Sequence, residues 1–183
     1  MKKLCTICMR SGSKGVPGKN MKPMHGKPLL EYTIEQALGS NIFDEIVIST
    51  DSSKIFKMVE KLGLKPWFFR PNELSTDSTP KIPVIRHALF EAEKHFKYEF
   101  DLIFDLDVTS PLRKISDIKN AYAKFTDDDA DILLTASNSR KNPYFNMVEV
   151  KDRKIQLVKN IPKLIGSRQK APKVFDMNAS IYI

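Results

Sequence analysis

The 183-residue sequence holds only two cysteines, Cys5 and Cys8. They lie three residues apart, on opposite faces of an apolar stretch that reads as a strand, with no second pair and no Cys/His cluster. That pattern speaks against a redox pair or a zinc half-site and for buried packing. So few thiols fit a reducing cytoplasm. No apolar run is long enough to cross a bilayer as a helix, so no membrane partner is expected. The opening MKKLCTICM has a charged start but a short apolar part and no cleavage site, which excludes a convincing signal peptide. Repeats, low-complexity tracts and linker-like composition are missing too. A single domain over residues 1–183 follows, with enough chain to bury a real core.

What is present is an alternation of strand and helix patterns. LCTICM (4–9) reads as a buried strand, and PLLEYTIEQALGS (28–40) puts Leu29, Leu30, Ile34, Ala37 and Leu38 at helical spacing up to a stop at Gly39. EIVIST (45–50) is the next strand, SSKIFKMVEKLG (52–63) an amphipathic helix, and KPWFF (65–69) a third strand. A long helix covers 80–97, DLIFDLD (101–107) is a fourth strand, 115–125 a helix, and DILLTAS (131–137) a strand. This order predicts an α/β fold: a mostly parallel, Rossmann-like sheet with helices on both faces. Past residue 140 the pattern becomes a small β arm, with YFNMVEV and IQLVKN flanking the polar turn KDRK. VFDMNASIYI forms a last strand with neither cap nor tail behind it, and the natural domain is expected to continue. Ligands of open α/β sheets bind beyond the carboxyl ends of strands, here the loops 10–27, 50–53, 70–80 and 105–114.

Acidic residues are the scarcer charge: 22 Asp and Glu face 30 Lys and Arg, a formal net charge of +8. The excess points to an anionic partner, or records lysine-rich helix faces that aid solubility; composition carries both readings. The basic residues do not interleave with aromatic ones, so nucleic acid is not the expected partner. The stretch CMRSGSKGVPGKNMKP (8–23) is more specific, with three glycines, four cations and no acidic residue. Glycines let backbone N–H groups turn toward an anion. Arg10, Lys14 and Lys19 add full charge, and arginine grips phosphate oxygens bidentately. Two familiar phosphate motifs are absent. Counted from Gly12, the Gly-Lys pair of a Walker A loop arrives one residue late, and Asn20 stands where a hydroxyl is needed. No G-x-G-x-x-G occurs. The alternative is a solvated basic loop with turn glycines.

Taken together and in order, RSGSKGVPGKN, YTIEQALGSNIFDEIVISTD, RPNEL, TSPLR and NASIYI resemble the CMP-sialic acid synthetases, or acylneuraminate cytidylyltransferases. The wider group includes CMP-legionaminic, CMP-pseudaminic and CMP-KDO synthetases, and the resemblance covers nearly the whole chain. It implies a nucleotidyltransferase sheet, and an enzyme that joins CMP from CTP to the anomeric oxygen of a nonulosonic acid and releases pyrophosphate. It also implies Mg²⁺ as cofactor and a homodimer built through an arm within 140–170. Other acids of the group, such as KDO or pseudaminic acid, and a non-catalytic nucleotide-binding module are the alternatives.

The resemblance assigns catalytic roles to Arg10 and Lys19. It places Arg10, Ser11, Gly12, Lys14, Lys19 and Asn20 around the nucleotide, with Arg70 at its cytosine end and with Lys81, Asp107 and Thr109. For Arg70 the alternative is a salt bridge to Glu73 or Asp77. Ser78 or Thr79 is expected to cap the helix that follows, and His87 to be structural. Thr109, Ser110 and Arg113 match TSPLR and, with Tyr144, Arg168 and Asn178, line the sugar site; Arg168 would pair with the sugar carboxylate. Core packing is the alternative for Tyr144 and its neighbour Phe145. Asp107 stands where CMP-sialic acid synthetases commonly have Gln, which moves the chain toward the legionaminic-type branch. A carboxylate at a strand end also suits magnesium, and Asp105 lies on the same face. For both, a backbone group or loop cation is the competing partner. The group's magnesium-binding acidic pair lies downstream of NASIYI, past Ile183.

Overall fold

The computed structural model describes residues 1–161 and 165–183. The chain divides into two compact units, 1–134 with 179–183, and 135–178. In the first unit β1 (Lys3–Cys8) is an interior strand. It pairs in parallel with β4 (Glu45–Ser49) on one side and β5 (Leu102–Leu106) on the other. Its residues Leu4 to Ile7 are fully buried, as a strand covered on both faces requires. The closing end of β9 (Phe175–Tyr182) adds an antiparallel partner to β5 through Ile181 and Tyr182. The expected sheet, mostly parallel with helices on both faces, is therefore the one observed.

Side-chain alternation along β1 assigns the two faces. Leu4, with Val47 of β4, packs on Ala88 and Ala92 of α3 (Lys81–Phe96) and on Phe68 and Phe100. Cys5 and Ile7, with Ile48, pack on α1 (Leu29–Ser40), α2 (Ser53–Lys61) and α4 (Ile115–Asp127). Cys5 is core, as expected, and both thiols are free. Between β1 and α1 the chain makes a 3-10 turn at Lys19–Met21 and a short antiparallel pair, β2 (Pro23–Met24) and β3 (Lys27–Pro28).

Three local expectations need correction. KPWFF (65–69) is not a strand: Pro66 has no N–H to give, and the segment is tied to the end of β4 by Arg70 N–H to Thr50 O at 2.8 Å. Gly39 does not end α1. The helix runs to Ser40 and Asn41 closes it in the left-handed region at φ 53°, while a Cβ on Gly39 would meet Ile115 Cδ1 at 2.7 Å. The glycine serves the approach of α1 to α4. The strand read at 131–137 begins three residues later, as β6 (Leu134–Asn138).

The second unit holds most of β6, the opening part of β9, and a hairpin of β7 (Val148–Lys151) and β8 (Lys154–Leu157). The hairpin turns at Asp152 and Arg153, both at positive φ, as a two-residue turn between twisted strands favours. This is the small β arm expected from the sequence. Residues 162–164 of the 140–170 segment lie outside the described residues.

Candidate functional site

The carboxyl ends of β1, β4 and β5 carry the loops that build the site. At the end of β5, Asp105 and Asp107 alternate around Leu106 and point to one side. Asp105 is 2% exposed. Its Oδ1 accepts a hydrogen bond from Thr6 Oγ1 at 2.9 Å. Asp107 Oδ1 accepts from the backbone N–H and the hydroxyl of Thr109, at 2.8 and 2.6 Å. The remaining oxygen of each carboxylate turns to the same cation. Lys81 Nζ lies 2.6 Å from Asp105 Oδ2 and 3.1 Å from Asp107 Oδ2. It also sits 4.7 Å from the centre of the Tyr182 ring.

The two carboxyls titrate in opposite directions. Burial pushes Asp105 above the usual aspartate range, and Lys81 and Thr6 only partly offset it. Burial also acts upward on Asp107, but Lys81 and the two Thr109 donors outweigh it and hold that carboxyl below its usual range. For Lys81, burial acts downward and the two aspartates prevail, so its pKa is raised.

The basic loop closes the other side. Arg10 Nη2 and Lys14 Nζ share the Asp77 carboxylate, at 2.5 and 2.7 Å. Lys14 and then Arg10, by hydrogen bonding, lower the Asp77 pKa. Ser11 gives both its backbone N–H and its hydroxyl to Asp51, each at 2.6 Å. Buried Asn20 holds the Arg10 carbonyl through Nδ2 at 3.0 Å, which fixes the loop's first residue. Of the three loop glycines, Gly18 alone has a positive φ, 63°, where the chain enters the 3-10 turn that carries Lys19. Lys19 and Gly12 line a cleft of about 210 Å³ with Cys8, Arg10, Asp107 and Thr109. A second recess of about 230 Å³ is lined by Arg10, Arg70, Thr76, Asp77, Lys81 and Asp107, among others. Arg10, Cys8 and Asp107 border both.

Two sequence-predicted arginines face inward. Arg70 is 6% exposed and bonds Ser49, with Nε to Oγ at 3.0 Å and Nη2 to the carbonyl at 2.5 Å. Neither Glu73 nor Asp77 is its partner among the described ion pairs; Asp77 belongs to Arg10 and Lys14. Arg113 is 7% exposed. It donates through Nε to Gln36 Oε1 at 3.1 Å, through Nη1 to the carbonyls of Asp107 and Ser180, and through Nη2 to Thr33 Oγ1 at 3.1 Å. It clamps α1, the end of β5 and β9 together, and its guanidinium is directed at protein acceptors. Its neighbour Ser110 accepts the Arg113 N–H through its carbonyl.

Tyr144, Arg168 and Asn178 belong to the second unit. Arg168 Nη2 donates to the carbonyls of Ser139 and Arg140 and borders a recess of about 560 Å³ with Asn142 and Lys173. Asn178 Oδ1 accepts from Thr135 Oγ1 at 2.7 Å. Tyr144 takes Lys159 Nζ near its ring, 5.8 Å from the centre. Ser78 and Thr79 do not cap α3, whose N-cap is Pro80. They form a hydroxyl cluster with Thr76, with Thr76 Oγ1 2.7 Å from Thr79 Oγ1. His87 packs its ring against Phe68, in keeping with a structural role. Sequence reasoning missed Thr6, Asp51 and the role of Asp77. Asp51 had a positional signal, one residue beyond the strand read at 45–50; Thr6 looked like one more buried strand residue.

The comparisons with known proteins point one way. The cytidylyltransferase family model matches residues 4–180. The chain is 47% identical over 180 residues to post-translational flagellin modification protein B of Campylobacter coli. It is equally identical to the CMP-N,N'-diacetyllegionaminic acid synthase of Campylobacter jejuni. In each case the match covers 98% of this chain and 76% of the relative. Among solved structures it resembles CMP:2-keto-3-deoxy-manno-octonic acid synthetase complexed with CTP. That TM-score is 0.69 at 22% identity, over 100% of this chain and 73% of the other, a likeness of fold. The chain belongs to the cytidylyltransferase family.

Proposed function

We propose that the protein is a CTP-dependent cytidylyltransferase that transfers CMP to the anomeric oxygen of a nonulosonic acid. The anomeric hydroxyl attacks the α-phosphorus, the bond to the leaving pyrophosphate breaks, and the hydroxyl proton is lost. The observation that carries the reading is the gathering of Arg10, Lys14 and Lys19 on one loop beside the carboxylates at the end of β5. A triphosphate has more negative charge than any group in this cleft. Lys19 and Arg10 are the cations to steady it as charge moves onto the pyrophosphate. The 47% identity to a relative named for N,N'-diacetyllegionaminic acid supports a legionaminic-type acid as substrate. Asp107, in place of the Gln common in CMP-sialic acid synthetases, agrees with it.

Mg²⁺ is the proposed cofactor. Asp105 Oδ2 and Asp107 Oδ2 converge on one cation, Lys81, and two hard carboxylate oxygens aimed at one point fit a divalent ion. Bound there, Mg²⁺ would neutralise phosphate charge and act as a Lewis acid. Thr109 and Thr6 hold the outer carboxylate oxygens and so orient the pair. Gly12, Ser11 and Asn20 shape the nucleotide loop, Arg70 stiffens the cleft floor, and Ser110 is a proposed sugar contact. A homodimer is supported by the hairpin, whose Val148, Val150 and Ile155 are 60%, 76% and 74% exposed. Two free cysteines favour a cytoplasmic setting. Among the described residues no helix is long and apolar enough to cross a membrane.

The test is incubation with CTP, Mg²⁺ and a panel of acids: N,N'-diacetyllegionaminic, N-acetylneuraminic, pseudaminic and KDO. Pyrophosphate release and the mass of the CMP-sugar are measured. The legionaminic acid should give the highest kcat/KM; release with none of the four would overturn the assignment.

A further inference from the structure

We infer that Lys81 is a built-in counter-ion that keeps a divalent cation off Asp105 and Asp107 until a triphosphate arrives. The inference rests on the reading of those two aspartates as metal ligands. Each carboxylate has one oxygen committed to the protein, Asp105 to Thr6 and Asp107 to Thr109. The free oxygen of each is taken by the same ammonium, at 2.6 and 3.1 Å. The place where a divalent ion would use both carboxylates is thus filled by the protein itself.

An ammonium and a doubly charged ion cannot share two oxygens at these distances. Their repulsion in a half-buried cleft is severe, and the carboxylates cannot neutralise both. Metal entry therefore requires Lys81 to leave. Its departure needs a new anionic partner, since the recess already holds Arg10 and Arg70 and its further carboxylate, Asp77, is shared by Arg10 and Lys14. A nucleotide triphosphate supplies that partner. Lys81 is the first residue of α3, with a side chain 30% exposed on the recess bordered by Arg10, Thr76 and Asp77. Its flexible stem lets the ammonium turn from the carboxylates into that recess while the helix stays in place. Nucleotide then binds first or together with the metal, and the cation pair changes hands in one step. Lys81 acts here as a positioning residue, with an effect on metal affinity that a purely structural lysine would not have.

The experiment measures Mn²⁺ binding to the full chain without sugar acid, by the loss of free-ion paramagnetic resonance signal. The proteins are wild type, Lys81→Met, Lys81→Arg, and Lys81→Met combined with Asp107→Asn. Without nucleotide, Lys81→Met should bind Mn²⁺ about tenfold or more tighter than wild type. Lys81→Arg should behave as wild type, and the double variant should lose the gain. The melting temperature of Lys81→Met should rise with Mn²⁺, and that of wild type should not. With CTP present, wild type should take up one Mn²⁺ beyond the nucleotide's own, measured against CTP alone. If wild type and Lys81→Met bind Mn²⁺ equally without nucleotide, and the double variant does not bind it, the exclusion fails while the metal assignment stands. If no form binds Mn²⁺ with or without CTP, both fail. The wild-type measurement decides by itself where a variant does not fold: tight Mn²⁺ uptake in the absence of nucleotide overturns the proposal.

Discussion

Replacing Arg113 by methionine tests whether this residue is a clamp or a substrate ligand. Methionine keeps much of the apolar stem but removes the guanidinium. Four hydrogen bonds disappear, to Gln36, Thr33 and the carbonyls of Asp107 and Ser180. Two losses are smaller, because Gln36 keeps its Nε2 bonds to the carbonyls of Pro111 and Arg113 and Thr33 keeps its hydroxyl bond to Asp107 O. The carbonyl groups cannot turn; Asp107 O keeps a long bond from Thr33 Oγ1 at 3.4 Å and Ser180 O one from the Asp107 N–H at 3.3 Å, so each loses its charge-assisted hydrogen bond, worth about 1.5–3 kcal/mol. Against this stands the relief of no longer burying a charge, which already lowers the Arg113 pKa through burial and has no carboxylate within ion-pair distance among the described pairs. A net loss of about 2–4 kcal/mol results. At roughly 2–4 °C per kcal/mol for a chain of this length, the melting temperature should fall by about 4–16 °C. Thermal unfolding followed by circular dichroism measures this, with KM for the sugar acid determined well below the transition. The clamp predicts a large drop in melting temperature with KM moved by no more than about threefold. An unchanged melting temperature, with KM raised by about a hundredfold, would show that Arg113 grips the acid and refute the reasoning.

Lys19→Ala should lower kcat by about 10²–10³-fold, from loss of a cation at the leaving pyrophosphate; an unchanged kcat in steady-state assays removes Lys19 from the reaction. Asp77→Asn should tighten CTP binding by about two- to fivefold at low salt, because Asp77 competes with phosphate for Arg10 and Lys14. Calorimetry showing weaker binding would mean that Asp77 positions the two cations rather than competing for them. The Asp44 carboxyl is held below its ordinary value of 3.8, first by the Lys3 backbone N–H, which outweighs burial, with the Lys3 ammonium and Lys2 adding to the effect. A lowered folded pKa gives stability that is present above the unfolded value and lost as pH falls through the folded one. Asp44→Asn should therefore flatten the decline of urea midpoints in the acid range below about pH 4; parallel profiles for the two proteins would contradict the assignment.

Much of this architecture is legible along the chain because strand and helix patterns alternate cleanly. Leu30, Ile34 and Ala37, which the sequence puts at helical spacing, are buried on the sheet. The same local rules misread KPWFF, where aromatic content suggested a strand and Pro66 removed the donor that a ladder needs. The site divides in the same way. Its basic loop can be read directly, since the residues that make it are contiguous. The partners of that loop cannot, because Asp77 lies 63 residues beyond Lys14 in sequence and meets it only through the fold. The same holds for Arg70 and Arg113: their neighbours in sequence do not show that Ser49, Gln36 and Thr33 are the partners of the guanidinium in the fold.

The cations around the cleft fall into two kinds, and the kinds differ in what they can exchange. Arg70 and Arg113 are buried and bond hydroxyl, amide and carbonyl acceptors, none of which has a charge to give up. An incoming phosphate would have to break several buried charge-assisted hydrogen bonds to draw them out, which is unfavourable. They are fixed and keep the carboxyl ends of β4 and β5 in place. Arg10 and Lys14 instead face Asp77 across a partly exposed gap, and Lys81, itself partly exposed, faces the buried Asp105 and the half-buried Asp107. Exchange of a carboxylate for a phosphate oxygen conserves the ion pair and costs little desolvation. These three cations can change partner without loss of fold: Arg10 and Lys14 together release Asp77, and Lys81 releases Asp105 and Asp107. Asp77 at the loop and the Asp105–Asp107 pair at the strand end are the carboxylates with which an incoming polyanion would compete. A cleft whose cations were all of the buried kind would be rigid but closed to the ligand; one whose cations were all exchangeable would lose its shape when filled.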